Sequence, residues 1–322
     1  MKKKVFLTRT LHDFALKELK KRYQIEIHSG KIPIPQTKLR TKITEIDGLI
    51  CFPYDEINKA IIDLAKNLKV ISTYSVGFDH IDTKYAKKKK IRVGYTPEVL
   101  TDATADLAFS LLLDILRRVS EGDRITRGGK WKVIYGAYDY VGLDLQGKTL
   151  GILGLGRIGR TLAKRAKAFD MKLTYYSRKR ISKTREKTLG IKYVAFEKLI
   201  TQSDIISIHV PHTKETDHMF NMKIFRKMKK SAFLINTSRG KIVNEKDLVT
   251  ALKKKMIAGV GLDVFEIEPI SKKHPLVKLQ NVVLAPHIGS STKETRTKMA
   301  EITVKNLNLG MSGKKPIYSV GY

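Results

Sequence analysis

With 322 residues, 42% of them hydrophobic and 29% charged, the chain has the length of about two domains and a composition that is neither disordered nor membrane-like. Its longest apolar stretches, such as Leu107 to Leu113, fall well short of the roughly 18 residues a membrane span requires. The net charge of +32 comes from 63 Lys and Arg spread along the whole chain. The densest run, Lys87 to Lys90, has no interleaved aromatic residue, so the charge reads as solvated faces that attract small anions rather than as a nucleic-acid footprint.

The basic start Met1-Lys2-Lys3-Lys4 is followed only by Val5-Phe6-Leu7, too short for the ~7-residue apolar core of a secretion signal, and it reads as a first strand. Cys51 is the only cysteine, so a cytoplasmic setting is expected. From Lys4 to Thr96, apolar runs such as Gly48 to Phe52 and Val70 to Tyr74 alternate with helical stretches such as Ile57 to Leu68, the pattern of a parallel sheet with crossover helices. After the break at Pro97, Thr101-Asp102 precede an amphipathic helix through Ala105, Ala108, Leu112 and Leu116, expected to end near Arg118 and to bridge two domains.

Ile125 to Gly147 carries Trp131 and several tyrosines with little periodicity, and reads as a loop or arm. A second alternating series follows, with strands expected at Leu150 to Leu153, Leu173 to Tyr176, Ile205 to Val210, Phe233 to Asn236, Gly259 to Leu262 and Val282 to Leu284. Ser291 to Leu309 reads as a helix crossing back to the first domain. The expected fold is therefore α/β, with two Rossmann-like or flavodoxin-like domains built on parallel sheets. We place a substrate domain at residues 1–98 and 288–322, and a dinucleotide domain at 99–287.

Gly154, Gly156 and Gly159 stand directly after an expected strand and open the helix Arg157 to Ala168. Strand, turn and helix in this order form a pyrophosphate site: one glycine for the turn, one for close approach, one for helix packing. At the end of the next strand an NAD enzyme would carry an acid for the ribose 2′-hydroxyl. Here the chain reads Tyr176-Ser177-Arg178-Lys179-Arg180, which suits a 2′-phosphate, so NADPH is expected over NADH.

Three polar residues follow later strands. Arg239 offers a planar fork for a carboxylate. His287 can exchange a proton near neutrality. Glu268 is the natural carboxylate partner of that histidine, because a nearby negative charge favours the imidazolium. Glu266 would face the opposite side if its strand continued that far. Each residue taken singly also fits a surface turn or a structural role; together, downstream of a dinucleotide turn, they fit reduction of a 2-keto acid.

These segments, with Leu68 to His80, Ile91 to Pro97 and Val99 to Asp106, resemble the D-isomer-specific 2-hydroxyacid dehydrogenases over nearly the whole length, and most of all the members that reduce glyoxylate and hydroxypyruvate. The resemblance implies that Arg239 binds substrate, Glu268 supports His287, and His287 donates the proton. It implies that backbone amides of Val76 and Gly77 receive the substrate carboxylate, with Ser290 and Pro53 nearby. It sets Arg157 and Ile158 at the pyrophosphate, Thr104, Val210, Pro211, Thr237, Ser238 and Gly289 along the cofactor, and Asp263 on its carboxamide. It further implies a homodimer and no metal. Relatives often carry a second aromatic residue shortly after the position of Trp131; here Ile134 or Tyr135 stands there, and with Pro53 and Tyr54 these positions bear on substrate choice. Alternatives are a relative acting on 2-ketogluconate, phosphohydroxypyruvate or pyruvate, and a non-catalytic cofactor-sensing corepressor-like protein.

Overall fold

The computed structural model describes residues 2–30 and 33–321, so Met1 of the basic start lies outside the described residues. The chain divides into two compact units, Met1–Leu100 with Ser290–Tyr322, and Thr101–Gly289.

In the first unit, strands β1 (Lys4–Leu7), β2 (Gln24–Ile27), β3 (Gly48–Cys51), β4 (Val70–Thr73) and β5 (Arg92–Gly94) form a sheet in the order β2-β1-β3-β4-β5, every pair parallel. All residues of β3 and β4 are buried, as befits a parallel sheet covered on both faces. The helix expected over Ile57 to Leu68 spans only Lys59–Leu64, because Asn58 caps it by accepting the Ile61 N–H, and Ile57 pairs instead with Ile81. Helix Lys293–Met311 belongs to this unit. It is tied to the strand ends by Ser72 Oγ donating to the Thr303 carbonyl at 2.9 Å and the Tyr74 hydroxyl donating to the Arg296 carbonyl at 2.7 Å.

In the second unit, β6 (Thr149–Leu153), β7 (Lys172–Tyr176), β8 (Ile191–Tyr193), β9 (Ile205–Ile208), β10 (Phe233–Asn236), β11 (Gly259–Leu262) and β12 (Val282–Leu284) form a parallel sheet in the order β12-β11-β10-β9-β6-β7-β8. Alternate residues feed two cores: Ile152, Ile205 and Ile235 pack in one, Leu153, Ile206 and Leu234 in the other. Each such buried aliphatic side chain contributes on the order of 2 kcal/mol. The short edge strand β8 has no clear signal in the sequence, and β9 stops at Ile208 rather than Val210 because its neighbours β6 and β10 also end opposite that residue. Helix Thr101–Arg117 lies wholly in this unit. The segment read as an arm is helical at its start, completing helix Val119–Arg127, and has neither helix nor strand from Gly128 to Gly147. Strand order reverses between β6 and β9, so the turn after β6 stands at the switch point where open α/β sheets bind ligands.

Candidate active site

The glycines of that turn differ in what demands them. Gly154 has φ +95°, and a Cβ there would lie 2.8 Å from the His209 carbonyl. At Gly159 a Cβ would lie 2.3 Å from the Gly154 carbonyl oxygen, so this glycine lets the helix Arg157–Lys167 close on the turn. Gly156, the residue before that helix, has open space where a side chain would be. The fold does not need glycine there, whereas a phosphate lying against the backbone does. The Ile158 side chain packs against the core, leaving its backbone N–H and that of Arg157 among the first-turn donors at the helix start.

The end of β7 is joined to this turn. The Leu155 N–H donates to Ser177 Oγ at 2.8 Å, and the Gly154 N–H to the Tyr176 carbonyl at 2.8 Å. Arg178 and Lys179 are exposed, whereas Arg180 makes a two-pronged pair with Glu186 at 2.8 and 2.7 Å and lies over the Tyr193 ring. Arg180 and the Tyr175 hydroxyl hold the Glu186 carboxyl down to about 2 and keep the loop after β7 folded. The three cations are therefore not equivalent, and Arg180 has a structural partner of its own.

Beyond β10, Ser238 Oγ donates to the Val210 carbonyl and so joins this loop to the Val210-Pro211 segment after β9. Asn236 steers the same turn, accepting the Ser238 N–H at 3.0 Å and donating to the Arg239 carbonyl at 2.9 Å. The hydroxyl of Thr237 is buried without a hydrogen-bond partner, a polar atom that a bound nicotinamide cofactor could satisfy. Arg239 is followed by Gly240, where a Cβ would fall 1.9 Å from the Phe265 carbonyl carbon. This contact, which has no signature in the sequence, brings the arginine turn onto the segment bearing Glu268.

His287 Nδ1 lies 2.6 Å from Glu268 Oε2, and Glu268 Oε1 accepts the Phe265 N–H at 2.9 Å. An ionised carboxylate only accepts, so Nδ1 carries the hydrogen and Nε2 is the nitrogen left for proton exchange. The histidine has a left-handed backbone, φ +54°. Asp263, directly after β11, holds that turn with both oxygens, accepting the Ile288 N–H at 2.7 Å and the Gly289 N–H at 2.8 Å. Burial raises the Asp263 carboxyl against the opposing effect of those amides and of His287. Thr104 Oγ1 donates to the Gly289 carbonyl at 3.1 Å, fixing the same turn from the helix Thr101–Arg117. Asp263 is thus already engaged with backbone, a duty that the resemblance did not disclose.

Glu266 faces away from this pair, but not for the reason given by strand alternation, since β11 ends at Leu262. It accepts the Glu245 N–H at 2.9 Å and lies 3.1 Å from His218 Nε2.

In the first unit, Asp55 is buried and closes the Phe52-Pro53-Tyr54 turn, accepting the Phe52 N–H at 2.8 Å and the Thr8 hydroxyl. Nothing in the alternation of the sequence marks it. After β4, Ser75 Oγ accepts the Gly77 N–H at 3.1 Å, so the Gly77 amide has an internal acceptor; Val76 and Ser290 are half-buried in the same unit. In the arm, Tyr135 stacks between Trp131 and Tyr140, and Tyr140 lies against Arg118 with ring and guanidinium 4.1 Å apart. Ile134 is 94% exposed.

A glycine turn at the switch point of a parallel sheet, with an arginine and a carboxylate–histidine pair beyond neighbouring strands, defines a nicotinamide-dependent oxidoreductase. Residues 109–289 match the family described as D-isomer specific 2-hydroxyacid dehydrogenase, NAD binding domain. The chain belongs to that family. It is 49% identical over 319 residues to the glyoxylate reductase of Thermococcus litoralis, covering 98% of this chain and 96% of the relative. Its fold is similar to the NADPH-dependent glyoxylate/hydroxypyruvate reductase of Sinorhizobium meliloti, solved with NADP and malonate, at TM-score 0.86 and 30% identity, covering 100% of this chain and 97% of the other. It is also similar to D-lactate dehydrogenase from Aquifex aeolicus, solved with NAD and lactic acid, at TM-score 0.87 and 29% identity, covering 98% of each chain.

Proposed function

We propose that the protein reduces small 2-keto acids, glyoxylate and hydroxypyruvate, to glycolate and D-glycerate. The observation that carries this reading is the 2.6 Å contact between His287 and Glu268 on the same unit as the glycine turn and Arg239. When bound, the nicotinamide cofactor supplies the hydride. Arg239 orients the keto acid by its carboxylate and polarises the carbonyl. His287 gives the proton from Nε2 to the oxygen that becomes the hydroxyl, while Glu268 holds the ring through Nδ1. The resemblance assigns the Val76 and Gly77 amides to the substrate carboxylate, and Ser290 and Pro53 to its surroundings; the Gly77 amide would have to exchange its bond to Ser75 Oγ for that role. The reading gains support from the glyoxylate reductase named above, which is similar over nearly its whole length.

NADPH is the preferred cofactor in this proposal, supported by Ser177 and the exposed Arg178 and Lys179 where an acid would otherwise read the ribose. A homodimer is supported by the exposed apolar arm, in which Ile134 and Tyr138 are almost fully exposed. A cytoplasmic setting is supported by the single, buried cysteine.

Rates with a panel of glyoxylate, hydroxypyruvate, pyruvate, 2-ketogluconate and phosphohydroxypyruvate, each with NADPH and with NADH, test the assignment. The proposal expects the highest kcat/KM with glyoxylate or hydroxypyruvate and NADPH; preference for a larger keto acid, or for NADH, contradicts the corresponding part.

A further inference from the structure

The segment from Asp263 to Glu268 has to aim a carboxylate at His287 although β11 has ended and no sheet ladder fixes its backbone. Its peptide groups are held from elsewhere. Glu266 and Glu245 exchange hydrogen bonds: the Glu266 N–H donates to Glu245 Oε1 at 2.7 Å, and the Glu245 N–H donates to Glu266 Oε1 at 2.9 Å. Glu245 is the first residue of helix Glu245–Lys253, capped by Asn244, so this clamp fastens the segment to the rigid end of a helix 21 residues away in sequence. We propose that Glu245 and Glu266 are positioning residues that set the direction of Glu268 and thereby the orientation of the His287 ring, an inference that rests on the reading of His287 as the proton donor.

The start of the segment is held independently of the clamp: the Asp263 N–H donates to the Asn236 carbonyl, its carboxylate accepts the Ile288 and Gly289 amides, and Val264 and Phe265 are buried. Glu268 Oε1 takes the Phe265 N–H within the segment itself, and Gly240 abuts the Phe265 carbonyl, so both act at residue 265. The clamp acts on the next residue, 266, toward Glu268. Each of its carboxylates also meets a histidine: His218 Nε2 lies 3.1 Å from Glu266 Oε1, and His274 Nε2 lies 3.2 Å from Glu245 Oε2. The His274 ring is itself fixed, accepting the Leu276 N–H at Nδ1, so Glu245 is oriented from both sides. Burial raises the Glu245 carboxyl, with Glu266 and Glu268 acting in the same direction and the Glu266 N–H and His274 opposing them. Three carboxylates are thus gathered around one short segment, and two of them commit their acceptors to its backbone and to the helix start rather than to chemistry.

Reach and charge are separable here by substitution. Glu266→Asp keeps the charge but is one methylene too short to take the Glu245 N–H; Glu266→Gln keeps the reach and the acceptor but drops the charge. The positioning role predicts that Glu266→Asp lowers kcat for glyoxylate with NADPH by about tenfold and leaves KM within about twofold. Glu266→Gln should retain most of kcat, and Glu245→Asp and Glu245→Gln should divide the same way. The reverse order, with Gln impaired and Asp active, or no difference among the four variants, would overturn the proposal.

A second readout does not depend on turnover. The low-field proton resonance of the His287 Nδ1–H bonded to Glu268 should be present in the parent protein and in Glu266→Gln, and lost or moved upfield in Glu266→Asp. An unchanged resonance in Glu266→Asp refutes the clamp. If the parent protein fails to reduce glyoxylate, the functional reading falls while this resonance still decides the clamp.

Discussion

Glu266 and Glu268 are separated by a single residue yet are committed to different partners: Glu266 accepts the backbone N–H of Glu245 at 2.9 Å, whereas Glu268 lies 2.6 Å from Nδ1 of His287. Of the two, only Glu268 holds the His287 imidazole ring. Glu268→Gln should therefore lower kcat for reduction by an order of magnitude or more, because an amide that can turn either its oxygen or its NH2 group toward Nδ1 no longer fixes the tautomer that leaves Nε2 for proton exchange. Initial rates with glyoxylate check this, and an undiminished kcat would dissociate the two residues.

The glycines provide a second prediction. Gly240→Ala forces a methyl group into the Phe265 carbonyl, and the backbone there has no flexible side chain to yield. A loss of stability of about 3 kcal/mol or more is expected, visible as a lowered Tm. Gly156→Ala meets open space with an ordinary negative φ, so its Tm should stay close to the parent value while KM for the cofactor rises. Equal thermal stability of the two variants would contradict the distinction.

Asp263 holds two amides on the His287 turn from a buried position. Asp263→Ala leaves both N–H groups without that acceptor, at a cost of about 1 to 3 kcal/mol for each buried group left unsatisfied. Thermal denaturation should show the loss, and activity should fall with it because the left-handed turn at His287 is no longer braced. A variant with parent stability would refute the bracing role.

Acid stability has a specific contributor. Desolvation pushes the His209 imidazole down to about 4, while Ser207 Oγ lies 2.8 Å from its Nε2 and the residue's carbonyl abuts Gly154. Its folded value lies below the unfolded one of about 6.5, so the unfolded chain binds the extra proton between them. The stabilisation is fully present above pH ~6.5 and is lost as pH falls toward 4. Tm measured from pH 7 to 4 should fall more steeply for the parent than for His209→Asn; parallel curves would assign the acid lability elsewhere.

Much of this arrangement is legible in the amino-acid sequence. The strands of the second sheet read as apolar runs because both faces are covered, and Arg239, Glu268 and His287 stand out because each comes after a strand end. What the sequence hides depends on partners remote along the chain. Glu266 is committed to Glu245, 21 residues before it, a pairing that does not follow from alternation along a strand that has already ended. Arg178, Lys179 and Arg180 look alike in a row until Glu186 takes the last of them. The engagement of Asp263 with the amides of Ile288 and Gly289 joins the ends of two neighbouring strands, a contact that exists only once β11 and β12 pair.

The proposed preference for NADPH rests on that inequality of the three cations. If the exposed Arg178 guanidinium receives the 2′-phosphate, Arg178→Ala should raise KM for NADPH several-fold relative to NADH. Arg180→Ala should act chiefly through Tm, because it uncouples Glu186 from the loop after β7. Parallel titrations of both cofactors at fixed salt distinguish the two effects, and an equal change in NADPH and NADH KM for Arg178→Ala would remove it from 2′-phosphate recognition.

The most direct measurement is NADPH oxidation with glyoxylate and with hydroxypyruvate, the parent protein beside His287→Ala. A general acid contributes about 10² to 10⁴ in rate, so the variant should retain its fold and cofactor binding while kcat drops by at least ~100-fold. Turnover of both keto acids by His287→Ala at the parent rate would contradict the role given to His287, and the account of the site with it.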